Sequence, residues 1–122
     1  MKTGRKITGG KYHHYRKKRK SERSRNIRLV KLGEPKKKKI RMYGGKYKTV
    51  LLSSNVINVI VGKKCKKVKI KNVLETPNNK FLARQNLMTK GTIVETELGK
   101  VKITNRPGQE GQINGILIEK QK

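Results

Sequence analysis

The chain has 122 residues, with 34 Lys or Arg against 7 acidic residues, all of them glutamate, so its formal net charge is +27. Apolar residues make up 32% of the sequence, below the ~45–50% of ordinary globular domains. This composition predicts one small domain without a membrane-spanning segment or a signal peptide. The single cysteine, Cys65, excludes an internal disulfide and is expected to be at least half-buried. A charge this large is typical of a protein that binds a polyanion rich in phosphates.

The chain begins with a basic segment, residues 1–26, that contains little material for a core. It holds 11 Lys or Arg, one Glu and only four apolar side chains. Burial of so few groups cannot offset an ordering entropy of about 1–2 kcal/mol per residue. We therefore expect an RNA-binding arm that is disordered without RNA, followed by a folded domain over residues 27–122.

The arm combines aromatic rings with a run of cations over residues 12–20. Each phosphate that a cation neutralises releases counterions, and flat rings stack on unpaired RNA bases. We therefore predict RNA binding, in preference to a solvated tail. The side chains predicted to bind RNA are Arg5, Lys6, Lys11, Tyr12, His13, His14, Tyr15, Arg16, Lys17, Lys18, Arg19, Lys20, Arg23 and Arg25.

A second basic segment, Lys36–Lys39, follows Pro35 and is predicted to form a basic loop of the folded domain. Such a loop has three interpretations: a solvated surface, a nuclear import signal in a eukaryote, or a clamp on phosphates. We favour the phosphate clamp. The predicted RNA-binding residues of this region are Arg28, Lys36, Lys37, Lys38, Lys39, Arg41, Lys46 and Lys48.

The folded domain is predicted to be all-β. Val and Ile total 20, whereas Ala83 is the only alanine, and apolar residues alternate with lysines around Ile70. Predicted strands cover residues 27–32, 40–43, 48–52, 56–61, 66–74, 92–97, 100–104 and 113–119. Two hairpins join the fourth strand to the fifth and the sixth to the seventh, and a turn at 107–111 precedes the last strand. Residues 79–88 favour a helical turn or two. Closure of the sheet removes exposed edges, so we expect a small β-barrel, with a sandwich as the alternative.

The sequence contains no constellation typical of catalysis or metal binding. The pair His13-His14 lacks further ligands and an acid–base partner, and the glutamates are scattered along the chain. We therefore predict no enzymatic activity, no cofactor, no metal site and no small-molecule substrate.

Five segments together resemble the ribosomal protein S8e family of archaea and eukaryotes. They are Arg-Lys-Ile-Thr-Gly-Gly at 5–10 with the basic run that follows, and the segments 41–48, 73–79, 90–96 and 106–111. The resemblance implies a β-barrel protein of the cytoplasmic ribosome that binds small-subunit ribosomal RNA directly and contacts neighbouring small-subunit proteins. The chain lacks the long insertion of eukaryotic members and therefore resembles the archaeal ones, so the nuclear import interpretation lapses.

A different class of protein remains as the alternative: a small, basic, chromatin-like archaeal DNA-binding protein. Proteins that read duplex DNA present a helix or a ribbon to a groove. In this chain the rings beside the longest run of cations lie on the arm, which favours RNA with unpaired bases.

Overall fold

The computed structural model describes residues 4–13, 15–23, 27–62 and 64–120. Nine strands make up most of the fold: β1 (Val30–Lys31), β2 (Lys36–Arg41), β3 (Tyr47–Ser53), β4 (Val56–Val61), β5 (Lys64–Glu75), β6 (Leu87–Met88), β7 (Ile93–Thr96), β8 (Gly99–Ile103) and β9 (Asn114–Lys120). A short helix, α1 (Lys80–Arg84), and two 3₁₀ turns, Lys20–Glu22 and Tyr43–Gly45, complete the elements. The predicted all-β class is confirmed.

Five strands close into a barrel in the order β4-β5-β7-β8-β9. Neighbouring strands are antiparallel except at the closing seam, where β4 and β9 run parallel and Val59 pairs with Gly115. Across the same seam the Asn58 side-chain amide donates to Asn114 Oδ1 at 3.1 Å. The predicted barrel and both predicted hairpins, β4–β5 and β7–β8, are therefore confirmed.

Alternation along the strands builds the barrel core. On β5, Val68 and Ile70 are buried whereas Lys67, Lys69 and Lys71 are exposed. Because successive side chains of a strand point to opposite faces, the lysines stay in water while the β-branched residues fill the interior. The same pattern buries Val101 and Ile103 of β8, as predicted.

The remaining four strands form a separate sheet in the order β2-β3-β1-β6, which we call the basic sheet. Two predictions are wrong here. The barrel does not extend over the whole of residues 27–122, because it is built from strands that begin at Val56. The predicted basic loop Lys36–Lys39 belongs to strand β2, which pairs with β3 along its length.

A loop between β8 and β9 fastens the barrel to the basic sheet. Leu51 N of β3 donates to the carbonyls of Pro107 at 3.4 Å and of Glu110 at 3.1 Å. Gly108 lies so close to the segment before β1 that a Cβ at this position would be 2.6 Å from the Arg28 carbonyl oxygen. The predicted turn is present, with Gln109 N donating to the Arg106 carbonyl at 2.9 Å.

The segment after β5 contains both the predicted helical turn and a strand that the pattern did not reveal. Asn79 Oδ1 accepts from Phe81 N at 2.9 Å and caps α1. The buried pair Leu87–Met88 then forms β6 beside β1. One further prediction is wrong: Cys65 is exposed, near the tip of the β4–β5 hairpin.

Candidate nucleic-acid interface

The described part of the arm contains a first tight turn, around residues 5–11. Arg5 and Lys11 form an antiparallel bridge, and Gly9, at a φ of 80°, donates from its N–H to the Lys6 carbonyl at 2.9 Å. The Lys6 ammonium lies 5.8 Å from the centre of the Tyr12 ring. The contacts are local ones, which bring one ring and several cations to the same short stretch of chain.

A second local unit surrounds Arg16. Its Nη2 and Nη1 donate to the two carboxylate oxygens of Glu22 at 2.7 and 2.9 Å, and its guanidinium carbon lies 5.6 Å from the centre of the Tyr15 ring. The Arg19 backbone N–H also donates to Glu22, at 3.1 Å. The bond from Arg16, followed by that from Arg19, lowers the pKa of Glu22, and the bond to Glu22 raises the pKa of Arg16. The arm's single acid thus organises one arginine and the 3₁₀ turn.

All described residues of the arm are exposed. Tyr12 and Tyr15 keep 55% and 92% of their surface in water, so their rings are available to stack on bases. The predicted residues that share this exposure are Arg5, Lys6, Lys11, His13, Arg16, Lys17, Lys18, Arg19, Lys20 and Arg23. His14 and Arg25 lie outside the described residues.

The four lysines of β2 occupy an edge of the basic sheet and are all exposed. Alternate residues of a strand share a face at roughly 6.6–6.8 Å spacing, so Lys37 and Lys39 project on one side and Lys38 on the other, whereas the register with β3 shifts between Lys36 and Lys37. Like charges along an edge oppose pairing with another strand. The strand therefore presents positive charge on two faces. Pairing with β3 fixes these directions, whereas a loop would leave them variable.

One end of the basic sheet, the 106–111 loop and the segment between β6 and β7 line a cleft of about 810 Å³, which we call the basic cleft. Its described lining includes five cations, Arg28, Arg41, Lys48, Lys90 and Arg106, and no carboxylate. Lys48 is held in place by its bond to Gln109 Oε1, at 2.6 Å. The structure thus brings together three predicted residues and adds two that the sequence did not single out.

The floor and rim of the basic cleft also contain apolar and aromatic groups. Pro107 is buried and Ile40 is half-buried, whereas Met42 and Tyr43 are exposed at the rim. Met42 N donates to the Lys46 carbonyl at 2.7 Å and closes the turn that carries Tyr43. Lys46, the remaining predicted residue, is exposed at the end of that turn. Lys90, Arg106 and Tyr43 lie in segments that carry the family resemblance, but the sequence did not single them out as RNA-binding. Each stands among uncharged neighbours or beside a glycine, outside the runs of cations.

Comparison with known proteins identifies the family. The family model of ribosomal protein S8e matches residues 1–118. The chain belongs to the ribosomal protein S8e family. It is 50% identical over 115 residues to the small ribosomal subunit protein eS8 of Nanoarchaeum equitans, an alignment that covers 93% of this chain and 91% of the relative. It is also 46% identical over 119 residues to eS8 of Methanocella arvoryzae, covering 96% and 95%, and 50% identical over 119 residues to eS8 of Staphylothermus marinus, covering 95% and 93%.

The S8e assignment confirms the resemblance that the sequence motifs carry, including the likeness to archaeal members. The family is one of structural ribosomal proteins, as predicted for a chain without a catalytic constellation. Within the described ranges, no three His, Cys, Asp or Glu side chains gather as a metal ion would require. The same part of the chain has no helix with the length and apolar character needed to cross a membrane.

Proposed function

We propose that this S8e protein is a structural constituent of the small subunit of the cytoplasmic ribosome and binds small-subunit ribosomal RNA directly. The observation that carries the proposal is the arm's exposed row of cations. Eleven Lys or Arg side chains face only one glutamate, so almost all of this charge is uncompensated within the arm. Phosphates spaced along an RNA backbone are the natural counterions for such a row.

The proposed contacts fall into two groups with different roles. The arm supplies exposed cations together with the rings of Tyr12 and Tyr15, which suit unpaired bases. The lysines of β2 and the cations of the basic cleft are fixed to a folded surface, so they position the protein on the RNA backbone without reading sequence. Neighbouring small-subunit proteins are the partners proposed for the remaining surface.

Sedimentation of a lysate through a sucrose gradient tests the assignment to the subunit. We expect the protein to migrate with the small subunit in high-salt buffer, which strips loosely held cations from RNA. Migration at the top of the gradient would contradict the proposal.

Competition between nucleic acids tests direct RNA binding against the chromatin-like alternative. A labelled transcript of small-subunit ribosomal RNA is bound to the full chain, and unlabelled duplex DNA or unlabelled transcript is added at equal phosphate concentration. We expect the transcript to compete at least ten times more effectively, because only it offers unpaired bases beside phosphates. Equal competition would favour the DNA-binding alternative.

A further inference from the structure

The basic cleft is larger than a site for one phosphate requires. Its volume of about 810 Å³ lies within the ~300–1,000 Å³ range of pockets that hold small organic ligands. Its described lining contains five cations and no carboxylate, which favours an anionic ligand. The half-buried Ile40 and the buried Pro107 line the same space, so the ligand also has a flat or apolar part.

The lining of the cleft also includes an aromatic ring, that of Tyr43. Tyr43 is fully exposed, at 101% of its reference surface, on a turn whose Gly44 has a φ of 70°. A large apolar side chain left wholly in water gives no stability to the free fold. A solvent-exposed ring beside positive charge is, by contrast, the arrangement that binds unpaired nucleotides, since every base has a face that stacks.

Polar groups that suit the edge of a base lie in the same cleft. Gln109 accepts from Lys48 with its Oε1, and its amide nitrogen remains a donor. Asn78 contributes a second side-chain amide to the lining. An amide side chain has both a donor and an acceptor, and a base edge can pair with both at once. A carboxylate of an acidic peptide can pair only with the donor.

Four segments that carry the resemblance to S8e proteins meet at this cleft although they are distant in sequence. Arg41 and Tyr43 come from the segment 41–48, Asn78 from 73–79, Lys90 from 90–96, and Arg106 from 106–111. The fold therefore gathers in one place motifs that the sequence shows as unrelated blocks.

We propose that the basic cleft binds one unpaired nucleotide of the RNA, with its base against the Tyr43 ring and its flanking phosphates among Arg41, Lys90 and Arg106. The inference rests on the proposed function and deepens it, because it assigns the recognition of an extruded base to the folded body and not to the arm. The cations and rings of the arm, together with the β2 lysines, then supply affinity that does not depend on a bulge, and the cleft supplies preference for RNA with an extruded base.

The test compares two labelled RNA hairpins that share a stem and differ by one bulged adenosine. The full chain is titrated with each hairpin at fixed salt. We expect it to bind the bulged hairpin about 5- to 150-fold more tightly, the range that one base–aromatic stack provides. Tyr43→Leu, which keeps apolar area but removes the ring, should reduce this preference to near unity while binding of the fully paired hairpin stays unchanged.

Matched variants distinguish the contribution of Tyr43 from that of the other tyrosines. Tyr47→Leu changes another exposed tyrosine, at 70% of its reference surface, four positions away on β3 and outside the cleft lining, and should keep the preference. The rings of Tyr12 and Tyr15 are expected to stack on unpaired bases of the hairpin loop, which both RNAs share. The double variant Tyr12→Leu, Tyr15→Leu should therefore lower affinity for both hairpins to a similar extent and keep the preference for the bulged one. With 2-aminopurine at the bulge, fluorescence should fall on binding of the wild-type chain and of Tyr47→Leu, but not of Tyr43→Leu.

Several results would overturn the inference. Equal affinity of the wild-type chain for both hairpins would do so, and would leave direct RNA binding intact. Loss of the preference in the arm variant, with retention in Tyr43→Leu, would move the stacking site to the arm. Binding of a poly-glutamate peptide that depends on Tyr43, with equal affinity for the hairpins, would assign the cleft to an acidic protein segment. Failure of the chain to bind either hairpin would refute the proposed function together with the cleft.

Discussion

The arm and the barrel differ in the interactions that stabilise them: contacts of charged groups in the arm, and burial of apolar side chains in the barrel. The described residues of the arm are all exposed, and its contacts are local, such as the pair between Arg16 and Glu22. The barrel instead buries Ile57, Val94 and Val101 completely and closes every edge of its sheet. We therefore expect the arm's conformation to depend on what neutralises its charge, and the barrel to keep its conformation without RNA.

Removal of residues 1–26 gives the largest expected effect on RNA binding and almost none on folding. If half of the arm's eleven cations contact phosphates, affinity for a ribosomal RNA transcript should fall by orders of magnitude at moderate salt. The thermal unfolding midpoint should stay within a few degrees, because the described arm buries no side chain against the body. An RNA titration and a melting curve on the same sample decide the matter. Undiminished affinity would make the body the main binding surface.

Ile70→Asp is the reciprocal change, with a large effect on folding. Ile70 is 6% exposed within the barrel core, and an unpaired carboxylate there cannot be solvated. We expect the variant to lose its cooperative unfolding transition. Lys69→Asp, a neighbouring exposed position on the same strand, is the control and should melt close to the wild-type temperature. Comparable melting of both variants would show that the side chain at position 70 does not support the core.

Changing Lys36–Lys39 to glutamine tests whether the lysines of a folded strand contact phosphates as the cations of the arm are proposed to do. The four charges are exposed on β2, and each lost phosphate contact lowers the salt slope of log affinity by roughly 0.7–0.9. We therefore expect a decrease of up to about 3 in the magnitude of that slope, without a change in sequence preference. An unaltered slope would mean that these lysines face solvent in the complex.

Gly115→Ala tests how tightly the closing seam of the barrel is packed. A Cβ at this position would lie 2.5 Å from Val101 Cγ1 and 2.9 Å from the Lys102 carbonyl oxygen. Overpacking of this kind costs about 1–3 kcal/mol of unfolding free energy, which chemical denaturation measures. Gly33→Ala, where the added methyl meets nothing within 4 Å, serves as the control. Equal stability of the two variants would show a seam that yields without cost.

Glu22→Gln gives the smallest expected effect and probes order within the arm. Glu22 occupies two of the Arg16 donors and adds a negative charge beside them, which opposes binding of a phosphate, so the variant should bind RNA slightly more tightly than the wild-type chain. The pKa of Glu22 is lowered, so the pair is intact above the ordinary carboxyl pKa and is lost as pH falls through the lowered value. A carbon-13 titration of the Glu22 carboxyl in the free protein should place its midpoint below that of an ordinary glutamate. An ordinary midpoint would show that the pair is not formed in solution.

The sequence determined the local features of this protein. The period-2 pattern around Ile70 gave a buried strand because neighbouring side chains must face opposite sides, and strand β4 spans the predicted residues 56–61. The density of cations over residues 1–26 and the motif blocks were equally visible, and they pointed to RNA and to the S8e family. Each of these properties depends on residues close together in the chain.

Only the tertiary structure decided which distant segments meet. The lysines of β2 look like a loop in sequence because a run of charges carries no hydrophobic alternation, yet pairing with β3 makes them a strand. The two-residue strand β6 exists only because β1 lies beside it. The basic cleft likewise depends on the 106–111 loop packing against β3 and Arg28. Its parts are separated by up to about eighty residues, and long-range packing, which no local pattern encodes, brings Arg28 and Arg106 to one site.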